Sequence, residues 1–164
     1  MNRHVVTIGP RDTLQSAMES MVENQVSGLP VVDEADRCVG LISTTDILRY
    51  EQDHPEFTAE ANSDVARFFD QTTQQWEDVR LTSYALEKFG ELNVDEIMSR
   101  ELISVRPEAS LPAVARTMLE QEVHRVLVLD RRRRLLGLIT AIDFVRLAAK
   151  RSAKKEAAAR SRKG

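Results

Sequence analysis

The chain has 164 residues, 42% hydrophobic and 30% charged, with a formal net charge of −3. That apolar content beside so small a net charge excludes a disordered chain, and no apolar run reaches the ~18 residues of a membrane span. The lone cysteine, Cys38, excludes an intrachain disulfide framework. With no apolar core of signal-peptide length at the start, it points to a reducing, cytoplasmic setting.

The chain repeats itself. Sliding the sequence by 97 positions aligns residues 1–49 with 98–146 without a gap, and fifteen of the 49 pairs are identical. Chance would give about three at ordinary composition. The identities include Met1/Met98, Pro10/Pro107, Leu14/Leu111, Met21/Met118, Asp33/Asp130, Gly40/Gly137 and Asp46/Asp143.

Within each copy the elements follow one order. Val5, Val6, Thr7 and Ile8, and later Leu102, Ile103, Ser104 and Val105, are short β-rich runs with a proline two residues on. A helix follows, with apolar residues at Leu14, Ala17, Met18, Met21 and Val22, and in the second copy at Leu111, Val114, Ala115, Met118 and Leu119. That i, i+3, i+4, i+7 spacing makes one buried stripe. Asp12 or Thr13, and Ser110, are the N-cap candidates. Residues 29–32 and 126–129 read as buried strands. Four polar residues then form a turn, 34–37 and 131–134, and residues 38–42 and 135–139 return as strands. A last helix opens at Ser43 and at Thr140. The fold class is α/β (α+β): two β-α-β-β-α units, each too small to bury its own sheet, packed sheet to sheet about a pseudo-two-fold axis.

The expected organisation is a first repeat over 1–49, an insert over 50–92, a second repeat over 93–149 and a tail over 150–164. Residues 50–96 carry 12 acidic and 3 basic side chains, and 150–164 carry 7 basic and 1 acidic. In the insert, Val65, Phe68 and Phe69, then Val79, Tyr84, Leu86 and Phe89, suggest two short helices packed on the body. Phe57, Phe68, Phe69, Trp76, Tyr84 and Phe89 lie there, more than one small body is expected to bury, which favours a homodimer. The tail should extend the last helix. It lacks aromatic residues for base stacking, so nucleic acid is not an expected partner.

The chemistry sits in Gly40-Leu41-Ile42-Ser43-Thr44-Thr45-Asp46 and Gly137-Leu138-Ile139-Thr140-Ala141-Ile142-Asp143. A strand ends in a hydroxyl residue and a carboxylate follows three positions on, at a helix start. Such a start offers unpaired N–H groups and a positive dipole end to a phosphate. The carboxylate can accept from both hydroxyls of a ribose. The same spacing resembles a capping box, and these residues alone leave both readings open. The histidines, 4, 54 and 124, have no metal-ligand spacing with Cys38 or with each other, and there is no P-loop and no dinucleotide fingerprint.

Together with Val26-Ser27-Gly28-Leu29-Pro30-Val31-Val32-Asp33 and Val123-His124-Arg125-Val126-Leu127-Val128-Leu129-Asp130, these motifs make the chain resemble a tandem CBS-domain pair, the Bateman module. The run Val94-Asp95-Glu96-Ile97-Met98 looks like the usual lead-in to such a repeat. The contrast of Ser27 and Gly28 with His124 and Arg125 is similar to that in the nucleotide-sensing subunit of the AMP-activated kinase. The resemblance implies a regulatory, non-enzymatic module that binds AMP, ADP or ATP, or S-adenosylmethionine, in clefts built from both repeats. It implies that Asp46 and Asp143 hold the ribose and that Ser43 (with Thr44) and Thr140 lie near the phosphates. It further implies that the main chain around Ser27, Gly28, His124 and Arg125 lines the adenine, and that Thr7 and Ser104 face the ligand. Arg125, always charged, suits a phosphate. Because Met1 already aligns with Met98, the lead-in segment is expected to be missing from the first repeat, whether the start is natural or trimmed, and one cleft is expected to be partly open. The regulated protein is unspecified. The rival reading is a structural dimerisation module with empty clefts.

Overall fold

The computed structural model describes residues 1–54, 63–70, 75–82 and 89–150, with 63–70 and 75–82 as backbone. In chain order the elements are α1 (Leu14–Asn24), β1 (Gly28–Val32), β2 (Cys38–Ser43), α2 (Thr44–Asp53), β3 (Ser63–Asp70), β4 (Gln75–Thr82), α3 (Val94–Ile97), β5 (Ser104–Val105), α4 (Leu111–Glu120), β6 (Arg125–Leu129), β7 (Leu135–Thr140) and α5 (141–150).

The two repeats use the same local devices. Thr13 caps α1, its hydroxyl accepting from the Ser16 N–H at 3.1 Å, and Ser110 caps α4 by accepting from Ala113 at 3.4 Å. Such caps satisfy N–H groups that the helix itself leaves open. Both helices end on a left-handed residue, Gln25 and Glu122, with φ of 52° and 51°. The next N–H then turns back onto the helix: Val26 donates to Met21 at 3.0 Å and Val123 to Met118 at 2.9 Å. The apolar stripes bury Leu14, Ala17, Met18 and Met21 on α1, and Val114 and Met118 on α4.

β1 and β2 pair antiparallel through Leu29↔Ile42, and β6 and β7 through Val126↔Ile139, each with an irregularity before its last pair. The turns between them are built by Asp33 and Asp130. Asp33 accepts from the N–H groups of Ala35 and Arg37 and pairs with the Arg37 guanidinium; Asp130 does the same with Arg132 and Arg134. These donors hold both carboxyls below the usual carboxylate range, with the Arg37 side chain the largest cause at Asp33 and the Arg134 N–H at Asp130. The first β-rich runs form less strand than their composition suggests. In repeat 1 only Ile8 bridges, parallel to Val31, and in repeat 2 β5 pairs with Leu127 and Val128 of β6. Pro10 and Pro107 follow at once, and a proline cannot donate to a ladder.

The repeats exchange their leading segments. Leu41 and Ser99 trade two backbone bonds of 2.9 Å, and Asn2 and Leu138 trade two more of 2.9 Å. The leading segment of each repeat thus lies on the returning strand of the other, which expresses the pseudo-two-fold relation in backbone hydrogen bonds. The shared glycines permit this approach. A Cβ on Gly40 would stand 2.2 Å from Met98 Sδ, and one on Gly137 would stand 2.7 Å from the Asn2 carbonyl oxygen. Cys38 of repeat 1 is buried among Leu127, Leu129, Leu102, Leu135 and Leu138 of repeat 2, and that burial raises its thiol pKa.

The insert corrects the expectation of a short helix through Val65, Phe68 and Phe69, and Val79 also lies on a strand, whereas Phe89 stands in a helical turn over 89–91. Over 63–70 and 75–82 the backbone is an antiparallel hairpin, running from Ser63↔Thr82 to Asp70↔Gln75. Val79 and Leu81 alternate with Asp78 and Arg80, the period of a strand, and the aromatic residues favour strands. Val65, Phe68 and Phe69 fit a helix for only one turn. Phe89 is fully buried against α1, so it contributes no exposed surface. Phe57, Tyr84, Leu86 and the tail beyond Lys150 lie outside the described residues.

Candidate functional site

α2 and α5 each begin where a returning strand ends, and each start opens on a cleft. At α2, Ser43 caps with its hydroxyl 3.3 Å from the Asp46 N–H, and Asp46 Oδ2 accepts from the Ser43 N–H at 2.8 Å and the Ser43 hydroxyl at 2.5 Å. At α5, Asp143 Oδ2 accepts from the Thr140 N–H at 3.1 Å, and the chain's amino terminus stands 3.7 Å away. The carboxylates therefore do cap their helices. At both starts the bonds fall on one oxygen, so capping and a second contact through the carboxylate are geometrically compatible.

A further backbone bond ties each helix start to the turn before the middle strand. Thr44 donates to the Ser27 carbonyl at 3.1 Å, and Ala141 donates to the His124 carbonyl at 2.8 Å. One N–H that the sequence offers to a phosphate is thus already used within the fold.

The first cleft, about 190 Å3, is lined by Ser27, by Ser43, Thr44 and Thr45 at the start of α2, and by residues 101–103 and 122–125 of repeat 2. The second, about 520 Å3, is lined by Thr140, Asp143 and Arg146 at the start of α5, and by residues 4–6, Val26, Gly28 and Pro30 of repeat 1. Each cleft thus joins a helix start of one repeat to the leading and middle segments of the other, and the 97-residue shift relates the two sets.

Of the sequence-predicted residues, Ser27, Ser43, Thr44 and His124 come together in the first cleft. Gly28, Thr140 and Asp143 come together in the second, and Arg125 lines both. Asp46 sits directly behind Ser43 and is not among the lining residues. Ser104 lines a separate depression with Arg106 and Arg133. Thr7 lies in the extended leading segment, exposed, and lines neither cleft. Sequence reasoning missed Glu101, Glu122, His4 and Arg146. The repeat itself carried a signal for Arg146, since Arg49/Arg146 is one of the identical pairs.

Two features give the first cleft its polarity. Arg125 reaches across the axis and donates from Nη2 to the Ser27 hydroxyl at 2.6 Å, joining residues 98 apart in sequence. His124 buries its Nδ1 without a hydrogen-bond partner among the described residues. Buried polar atoms are nearly always paired, so an orphan beside a cleft marks a place where a ligand or a small rearrangement supplies the partner.

Two duplicated units that share their clefts across a pseudo-two-fold axis define a paired-repeat module. The family model "CBS domain" matches residues 1–53 and 94–150, and the chain belongs to the CBS-domain family. It is similar to the CBS domain-containing protein CBSX1, chloroplastic, of Arabidopsis thaliana, at 31% identity over 88% of this chain and 58% of that one. It spans 59% of CBSX2 from the same plant. Among solved structures, CBSX2 in complex with AMP superposes with a TM-score of 0.64 at 23% identity, covering 93% of this chain and 94% of that one. The CBS domain pair of protein MJ0100, in complex with 5′-methylthioadenosine and S-adenosyl-L-methionine, gives 0.58 at 20%, covering 89% and 90%. Among the described residues no helix is long and apolar enough to cross a membrane.

Proposed function

We propose that the chain is a regulatory sensor module that binds adenine nucleotides of the AMP, ADP and ATP class, or a related adenosyl ligand, in the clefts between its repeats. The observation that carries this reading is the pairing of each Ser/Thr-x-x-Asp helix start with the middle-strand segment of the opposite repeat in a single cleft. A helix start contributes positive potential and a hydroxyl for a phosphate, Asp143 in the lining of the second cleft is assigned a ribose there, Asp46 behind Ser43 is assigned one in the first, and Arg125 supplies a charge. The ligands named for CBSX2 and MJ0100 support the same class. The module acts by binding rather than by catalysis, and the protein it regulates responds to the ligand state. The buried, unpaired Cys38 supports a reducing, cytoplasmic setting.

Calorimetry of the full chain with AMP, ADP, ATP, NAD and S-adenosylmethionine tests the reading. Saturable binding of an adenine nucleotide with a rise in Tm is expected. No heat and no Tm shift with any of the five would leave the rival, a structural module with empty clefts.

The same reading includes a homodimer through α4 and α5. Leu111 and Leu119 on α4, and Ile142 and Val145 on α5, are exposed, and exposed apolar faces of this kind mark interfaces. Sedimentation equilibrium should give a dimer mass that Leu119→Glu converts to a monomer. A monomer mass for the parent, with and without AMP, would remove the dimer.

A further inference from the structure

The two clefts are related by sequence and differ in charge. In the first, Arg125 is the permanent cation among the described lining residues, and it shares the lining with Glu101 and Glu122. In the second, Arg125 and Arg146 share the lining with one carboxylate, Asp143, which the amino-terminal ammonium meets at 3.7 Å. The counterparts of Asp143 and Arg146 in the first cleft are Asp46 and Arg49. Neither is among its lining residues, and their charges offset each other in any case.

Arg125 is common to both clefts because its partner position in repeat 1 is Gly28. The missing side chain leaves room for the guanidinium, with Nη1 3.3 Å from where a Gly28 Cβ would be. Nη2 is held by Ser27 on the side of the first cleft. One cation thus serves two sites. In the first it is outnumbered by carboxylates, and in the second Arg146 reinforces it. Like charges brought together in a cleft cost binding free energy, and opposite charges gain it.

Building on the proposed binding of adenosyl ligands, we propose that the clefts sort them by charge. The second cleft takes the phosphorylated, anionic ligand. The first takes an adenosyl ligand without net negative charge, its helix start and Ser27 meeting hydroxyls rather than phosphate oxygens. The roomier volume of the second cleft, 520 against 190 Å3, fits the larger phosphorylated ligand.

Calorimetry of the full chain with AMP and adenosine tests this. With adenosine saturating, AMP should still bind one equivalent. Arg146→Gln should weaken AMP at least about tenfold and adenosine less than about twofold, since only AMP carries the charge that the guanidinium meets. Glu101 is exposed and makes no hydrogen bond or ion pair among the described residues, so Glu101→Lys should raise the AMP stoichiometry from one to two. One-for-one displacement of AMP by adenosine, two equal AMP sites in the parent, or unchanged AMP affinity in Arg146→Gln would each overturn the sorting while leaving the nucleotide reading intact. Failure of both ligands to bind would overturn the two together.

Discussion

Leu14 and Leu111 occupy the same position in the two repeats, yet Leu14 is fully buried and Leu111 is 43% exposed. The helices are built alike, so the difference lies in what covers them. Over α1 the chain arriving from the insert is bound in place: Leu14 donates to the Leu92 carbonyl, Val94 to Asp12 and Asp95 to Pro10, each at 2.9 Å. That segment brings Phe89 and Val94, both fully buried, into the core around α1. Among the described residues α4 has no such cover. A duplicated sequence thus yields one helix face closed at its first turns and one open there, because a single connection passes over only one of them; at the far ends Val22 and Leu119 are both exposed. The open face is the one assigned to a second copy.

The largest expected effect breaks this pair directly. Leu14→Ala removes a side chain from a closed core and should cost about 2–5 kcal/mol, while Leu111→Ala should cost less than about 1 kcal/mol. Denaturant unfolding of both variants measures the gap. Equal losses would mean that α4 is covered as well as α1. A Leu111 loss that grows with protein concentration would place the cover on a partner chain.

Next comes the exchanged lead-in. Gly40→Val puts a branched side chain where Met98 already lies, and Met98 is itself buried. Overpacking of this kind costs roughly 1–3 kcal/mol, or about 2–10 °C in Tm for a chain of this size. If Gly40→Val melts with the parent, Met98 does not lie across the strand. The sequence held a hint of this contact, because a glycine inside a strand pattern signals a close approach by other backbone. It did not say which segment approaches.

The same limit applies to the site. The 97-residue repeat makes the paired elements, the caps at Thr13 and Ser110 and the helix starts at Ser43 and Thr140 legible, since each depends on residues within a few positions. The reach of Arg125 to Ser27 spans 98 residues and depends on how the repeats dock. Glu101 and Glu122 are likewise brought to the cleft by docking. The insert was misleading for a different reason. Three apolar residues at 65, 68 and 69 satisfy one helical turn, and so short a pattern does not separate helix from strand.

The helix starts come third in magnitude and sharpen the comparison at the site. Asp46 receives two bonds from Ser43, whereas Asp143 receives one from Thr140 within the helix start. Asp46→Ala should therefore lose about 1 kcal/mol of stability, the usual worth of a capping contact, and Asp143→Ala less. Both should also weaken nucleotide binding, by about 1.5–3 kcal/mol where the ribose contact is made. Asp143→Ala is the cleaner probe, because affinity should fall with little change in Tm. A fall in Tm with unchanged affinity in both variants would reduce the two carboxylates to caps.

The smallest effect concerns the two hairpins, whose Asp–Arg devices are alike and whose surroundings are opposite. Asp33 sits beside Glu34 and Asp36, and Asp130 beside Arg131, Arg132 and Arg133. Both carboxyls are held below the usual range in the folded state. The unfolded chain therefore takes up protons first on acidification. The stability each carboxylate contributes is fully present above the ordinary aspartate pKa of about 3.9, and it is lost as the pH falls through the lower folded value. Asp33→Asn and Asp130→Asn should each lower Tm slightly at neutral pH, and neither should do so once the medium is acid enough to protonate the parent's carboxyls. Salt separates the two. Screening removes attraction from neighbouring arginines at Asp130 and repulsion from neighbouring carboxylates at Asp33. Raising ionic strength should shrink the Asp130→Asn penalty and preserve or enlarge that of Asp33→Asn. Parallel responses to salt would show that the local Asp–Arg contact alone sets both values and that the hairpin tips do not act on their aspartates.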